Sequence, residues 1–189
     1  MTTISIPTGY IAGTWDIDPV HSEVSFQIRH LVVSKVRGRF DAFEGTIVTA
    51  EDPAQSSVRV TIDTASIDTN NADRDAHVRS ADFLDADKFP QISFGSTGVR
   101  IDDGDYLVDG ELMIHGVTKP ATLRVEVNGF TPDHLGGTRT GFSASTEINR
   151  GDFGISFNGP IPGSDGVMLS DKISINLEIQ AVLRVSDAA

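Results

Sequence analysis

Cysteine is absent from this 189-residue chain. Disulfides, thiolate nucleophiles and cysteine-bound metal centres are thereby excluded. Long apolar runs are absent too: no stretch approaches the roughly 18 residues that a membrane-spanning helix needs. Residues 1–11 carry neither a basic flank nor an apolar run of signal-peptide length, so a cytoplasmic location is expected. Positive charge is scarce. Fifteen basic residues stand against 27 acidic ones, for a net charge of −12 and a pI near 4.6. That sign repels phosphate backbones and disfavours a polybasic grip on anionic membranes, so neither nucleic-acid binding nor membrane insertion is expected.

Catalytic signatures are missing as well. The chain has no Gly-x-Ser-x-Gly, no His-Glu-x-x-His and no Walker loop. His21 and Ser22 are adjacent, and successive strand residues point to opposite faces, so they cannot pair as base and nucleophile. No catalytic residue and no cofactor is expected.

What the sequence does have is alternation. In residues 21–30, Val24, Phe26 and Ile28 fall on one face and Glu23, Ser25, Gln27 and Arg29 on the other. A period of two marks a strand with one apolar and one wet face. The same division recurs along most of the chain. A first strand is expected over residues 13–31, with a bend or bulge at Asp18-Pro19. Residues 34–37 read as a connection. A second strand follows over 38–48 with a bulge near Ala42-Phe43, and a third carries Val58, Val60 and Ile62. Later strands place Ile92 and Phe94, then Leu112 and Ile114, on common faces. They are joined by a hairpin turn at residues 102–105. A turn is read at residues 116–120 and a polar loop at 131–137. Phe142, Ala144 and Ile148 share the next face, residues 150–166 form a long loop, and Ile173, Ile175 and Leu177 line the last strand.

Only residues 70–88 have helical character, with an Asn N-cap, early acidic residues, and Ala72, Ala76 and Arg79 on one side. Strands do not alternate with helices, which excludes a doubly wound parallel sheet and leaves an antiparallel barrel or sandwich.

Five separated motifs then converge: Trp15-Asp16-Ile17-Asp18-Pro19-Val20-His21-Ser22; Phe40-Asp41-Ala42-Phe43-Glu44-Gly45; residues 74–85 closed by Phe89-Pro90; residues 110–120, centred on His115-Gly116-Val117-Thr118-Lys119-Pro120; and Arg150-Gly151-Asp152-Phe153-Gly154. In this order and spacing they resemble the YceI family of lipid- and polyisoprenoid-binding proteins, over about residues 13–183. The resemblance implies an all-β fold: an eight-stranded antiparallel, extended lipocalin-like barrel with one short helical insertion at about residues 71–87. One domain would span residues 13–185, after a lead-in over 1–12 and before a frayed tail over 186–189. The barrel interior would hold a long-chain apolar amphiphile such as a polyisoprenoid, an isoprenoid quinone or a fatty amide or acid. Family members are often homodimers, and many are periplasmic or secreted, a pattern from which this chain is expected to depart.

The expected cavity lining is Val24, Phe26, Ile28, Phe40, Val60, Ile62, Phe94, Leu112, Ile114, Phe142, Ala144, Ile148, Phe153, Ile173, Ile175 and Leu177. Periodicity alone favours a filled interior, because packed cores outnumber cavities; the resemblance implies a cavity instead. Small residues on the inner faces (Gly110, Ala144, Ala181) are consistent with room inside. His30 and Arg150 are candidates for a polar head group, as donors at a cavity entrance.

His21, His30 and His115 lie near strand ends, but their spacing fits no metal-ligand pattern, so separate histidines and no metal site are expected. Asp73, Asp75, Asp82, Asp85 and Asp87 read as caps and a solvated face, since the EF-hand spacing is absent. Two alternatives remain: an enzyme with His30, Arg150 or Glu147 at the cavity, and a filled barrel serving as a dimer scaffold.

Overall fold

The alternating segments pair edge to edge until the sheet closes on itself. The computed structural model describes residues 6–185. The expected frayed tail at 186–189, and the first five residues of the lead-in, lie outside the described residues. The strands are β1 (Gly13–Ile17), β2 (Glu23–His30), β3 (Ser34–Phe40), β4 (Phe43–Thr49), β5 (Ser57–Asp63), β6 (Ile67–Asp68), β7 (Gln91–Asp102), β8 (Asp105–Ile114), β9 (Val117–Pro132), β10 (Thr138–Asn149) and β11 (Leu169–Leu183). The ring runs β1-β4-β5-β7-β8-β9-β10-β11 and returns to β1, giving an eight-stranded closed antiparallel barrel. Closure leaves no exposed edge around the ring.

Two strands are longer than the ring. β1 and β2 lie in succession along β11, with Ile17 opposite Ala181 and Val24 opposite Leu177. The single strand expected over 13–31 is broken where Asp18 turns its carboxylate onto the Val20 N–H at 3.0 Å. β3 and β4 follow the same course, broken at residues 41–42, where the bulge was expected. β3 pairs with β2 along its whole length, and its other edge meets the two-residue β6.

The connection expected at residues 34–37 is instead the start of β3, with Ser34 opposite His30. The chain turns earlier, at residues 31–33, with Leu31 and Val32 in the left-handed region (φ 53° and 64°). That conformation costs a non-glycine residue about 1–2 kcal/mol, so nothing in local propensity announces a turn there. The 116–120 turn is similarly displaced. His115 and Gly116 make it, and β9 already begins at Val117, with Pro120 opposite Glu111. The expected hairpin at 102–105 forms, with Asp103 and Gly104 both at positive φ. The polar loop expected at 131–137 is shorter, because β9 runs on through Pro132.

α1 (Ala72–Arg79) starts where the Asn71 side chain accepts from the Arg74 N–H at 2.9 Å. The rest of the expected helical stretch, residues 80–88, is a series of turns. Arg79 ties the segment to β6, donating to the carbonyls of Ala65 and Ile67 at 2.8 and 2.9 Å. Val78, Phe83 and Leu84 carry this cover onto the core cluster containing Ile67, Ile92, Ile114 and Phe153. No helix among the described residues is long and apolar enough to cross a membrane.

Candidate functional site

The register of the ladders builds the site. In-register antiparallel neighbours put their side chains on the same face. The apolar positions of successive strands therefore join into belts inside the barrel. One belt runs Phe40, Val24, Leu177, Ala144, Val125 and Tyr106 across six strands. A second links Val36, Ile28, Ile173 and Ile148, and a third links Val60, Phe94 and Leu112. These belts surround a cavity of about 540 Å³. That is within the roughly 300–1,000 Å³ of small-molecule sites.

The structure brings every residue of the expected lining to this one cavity: Val24, Phe26, Ile28, Phe40, Val60, Ile62, Phe94, Leu112, Ile114, Phe142, Ala144, Ile148, Phe153, Ile173, Ile175 and Leu177. His30 and Arg150 border it too. The small residues divide. Ala144 lines the cavity, whereas Ala181 is fully buried away from it. At Gly110 a Cβ would meet the Phe94 ring at 2.4 Å and the Gly95 carbonyl at 2.6 Å. The space left by Gly110 is thus filled by Phe94, not open to a ligand.

Rings close one end. A slip in register between β9 and β10 at Phe142 leaves Asn128 without a ladder partner and changes the phase of β9. Phe130 thereby reaches Trp15, with ring centres 5.6 Å apart, and Tyr10, at 5.5 Å. Trp15 is fully buried and its indole N–H donates to the Thr49 hydroxyl at 2.7 Å. The opposite end is covered by α1, the turns after it and the long loop over residues 150–166. There His77, Phe83 and Phe157 form a triangle of rings with centres 5.0–5.1 Å apart. It clasps the helix to the loop, and Asp82 accepts from or pairs with the His77 ring at 2.9 Å.

The arginine and histidine side chains that border the cavity lie at this helix-covered end, whereas Tyr10, Thr49, Ser56 and Ser57 put neutral polar groups at the other. Arg74 borders the cavity and donates to the hydroxyl and the carbonyl of Thr69 at 2.8 and 2.6 Å. Thr69 in turn donates its amide and hydroxyl to one oxygen of Asp75, at 2.7 and 2.6 Å. Burial pushes the Asp75 carboxyl up, but the Thr69 bonds and the nearby Arg79 and Arg74 outweigh it and hold the group below the usual carboxylate range. Asp75 is therefore a buried organiser, not part of a solvated face as expected. The helix side turned to the cavity carries Arg74, His77 and Val78, not Ala72, Ala76 and Arg79. The i, i+3, i+4 spacing of Arg74, His77 and Val78 could have revealed it. Two polar side chains beside one valine hid it.

The geometry separates the two head-group candidates. Arg150 is 2% exposed and donates to the carbonyls of Ser170, Ile155 and Phe157 at 3.0, 3.2 and 2.7 Å. Burial pushes its guanidinium pKa down, against the pull of Asp171. Its donors are committed to holding the long loop on β11. The His30 ring, partly buried at the cavity edge, makes no hydrogen bond among the described residues. Of the other histidines, His115 bonds the Phe153 carbonyl at 3.0 Å and His21 the Asp18 carboxylate at 2.8 Å. Glu147, an expected carboxylate of the enzyme alternative, points outward and pairs with Lys172 at 3.0 Å. It follows the outward phase of β10, one residue from the inward Ile148.

Comparison with known proteins agrees with this geometry. The chain matches the YceI-like domain over residues 15–181. It is 45% identical over 148 residues to protein YceI of Escherichia coli O17:K52:H18, covering 77% of this chain and 78% of that protein. It is 39% identical over 184 residues to a UPF0312 protein of Vibrio parahaemolyticus, covering 95% and 92%. Among solved structures, BcnA of Burkholderia cenocepacia superposes with a TM-score of 0.75 at 25% identity, over 87% of this chain and 98% of that one. A polyisoprenoid-binding domain of Saccharophagus degradans, implicated in plant cell wall breakdown, shares the fold at TM-score 0.67 and 15% identity, over 92% and 100%.

Proposed function

The chain belongs to the YceI-like family, and from that premise we propose that it binds one long-chain apolar amphiphile inside its barrel, for sequestration or transport and without chemistry. The observation that carries this reading is the cavity itself: about 540 Å³ bounded by cross-strand belts of aliphatic and aromatic side chains. Each methylene taken from water into such a surface contributes about 0.8 kcal/mol, so affinity grows with tail length. The arginine and histidine side chains of the lining gather at the helix-covered end, where the His30 ring is free to meet a head group while the tail runs toward the end closed by Tyr10. The ligand class we place first is a polyisoprenoid. An isoprenoid quinone or a fatty amide or acid offers the same match of one polar end and one long apolar tail. The fold shared with a polyisoprenoid-binding domain is in keeping with that order.

Organic extraction of the purified, folded protein followed by mass spectrometry tests the reading. A stoichiometric long-chain amphiphile in the extract supports it. An empty extract, together with no uptake of added polyprenol or quinone, overturns it.

A further inference from the structure

The hairpin joining β2 to β3 breaks three local rules in one place. Its tip is apolar and exposed: Val32 and Val33 are 68% and 85% exposed, and Leu31 37%. Its turn is strained, because Leu31 and Val32 both hold positive φ, which glycine and asparagine adopt and a β-branched residue resists. Its stem is cationic: residues 29–39 contain Arg29, Lys35, Arg37 and Arg39 and no acid, in a chain of net charge −12. Arg39 is held by Asp41 and Asp68. Arg29, Lys35 and Arg37 form no ion pair among the described residues, and Arg29 stands directly opposite Lys35 across the ladder. Like charges so placed weaken a hairpin. A stretch whose turn chemistry, charge pairing and exposure all work against local stability points to a role outside the fold.

The tip also sits beside the helix-covered end of the cavity. The Leu31 N–H donates to the Met168 carbonyl at 2.8 Å, and His30, Met168 and Leu169 border the cavity. Val167, next to Met168, is 52% exposed.

We propose that this hairpin tip is a peripheral docking site for an anionic lipid membrane. Val32 and Val33 dip into the interface, and Arg29, Lys35 and Arg37 meet the anionic head groups. Interfacial anchors need this pairing of apolar side chains with flanking cations. The negative net charge does not forbid it, because charges farther than a screening length of about 8 Å count for little at physiological salt. A projecting tip suits a deformable lipid surface. An acidic protein partner would instead need a matching groove and roughly 800 Å² on each side. That docking delivers the cavity to its ligand rests on the lipid-binding reading above; the docking itself does not.

Flotation of the full chain with lipid vesicles tests the proposal, because it reads vesicle attachment whether or not the cavity takes up a lipid. The expected result is binding to vesicles of phosphatidylcholine mixed with phosphatidylglycerol, weaker binding to phosphatidylcholine alone, and loss at high salt. The variant Val32→Gly/Val33→Asn relieves the left-handed strain at residue 32 and keeps the fold, but loses flotation. The variant Arg29→Gln/Lys35→Gln/Arg37→Gln lowers partitioning onto anionic vesicles by about a hundredfold, at roughly fivefold per charge. Absence of flotation by the unaltered chain overturns the proposal, as does equal flotation by either variant. Retention on polyglutamate with no vesicle binding would assign the patch to an acidic protein and overturn it too.

Discussion

Arg139 on β10 donates to the Asp18 carboxylate at 2.7 Å, across β11 and 121 residues along the chain. The same guanidinium reaches Asp133 at 3.2 Å. Asp18 sits at the break between β1 and β2, so this pair pins the bent strand where it leaves the ladder. The Arg139 bond lowers the Asp18 pKa from 3.8 to about 2; burial opposes it, and His21 and the Val20 N–H assist. The unfolded chain binds the proton more tightly than the folded one. The stabilisation is therefore complete above pH 3.8 and is lost as pH falls through about 2. Asp18→Asn should cost about 1–2 kcal/mol near neutral pH after allowance for solvent screening. In urea unfolding the gap between the two proteins should close on acidification. A gap that persists at the acid end would show that the pair is not its source.

Ala144 lies at the centre of the longest cavity belt, between Leu177 and Val125. Ala144→Trp should fill the space, abolishing uptake of a polyprenol or quinone. Its cost in stability should stay near the 1–3 kcal/mol typical of overpacking. Fluorescence titration and thermal melting check the two halves separately. Undiminished uptake in a folded variant would mean that the tail does not pass this belt.

Removing the Arg150 guanidinium by Arg150→Met leaves the carbonyls of Ser170, Ile155 and Phe157 without their donor. The Ile155 carbonyl would be a buried orphan, at about 1–3 kcal/mol, and the part-buried Ser170 and Phe157 carbonyls would cost less, so a loss of about 2–3 kcal/mol is expected. Arg150→Lys should recover only part of it, because an ammonium cannot reproduce the planar fork. Denaturant midpoints measure both. If binding falls while stability is unchanged, the arginine serves the ligand instead of the loop.

Phe157 closes the ring triangle with His77 and Phe83 over the helix-covered end. Aromatic pairs of this kind contribute about 0.5–1.5 kcal/mol each. Phe157→Ala should therefore speed ligand release by about tenfold while leaving the barrel folded. Stopped-flow displacement with a fluorescent fatty acid reads the rate. An unchanged rate would place the exchange path at the Trp15 end.

The strands were legible in the sequence because a half-buried strand must alternate, whatever it pairs with. That same periodicity named the inward residues from Val24 to Leu177 before their partners were known. Its change of phase located the break at residues 41–42 but not the turn at residues 31–33. At Leu31-Val32 the chain enters left-handed backbone that these side chains do not favour, so that turn carried no local signal; at His115-Gly116 the glycine signalled a turn but not that β9 would begin at once after it. Neither could it separate Gly110 from Ala144. One glycine yields to a neighbouring ring and one alanine faces empty space, and only the packing of Phe94 decides which.

The sequence by itself determined the two-faced strands and the charge of the surface, since both follow from residue type and spacing along the chain. The tertiary structure alone decided that the apolar faces enclose a cavity and that Arg150 is committed to three carbonyls. Those outcomes depend on which residues distant in sequence meet across the closed sheet, and no local pattern carries that information.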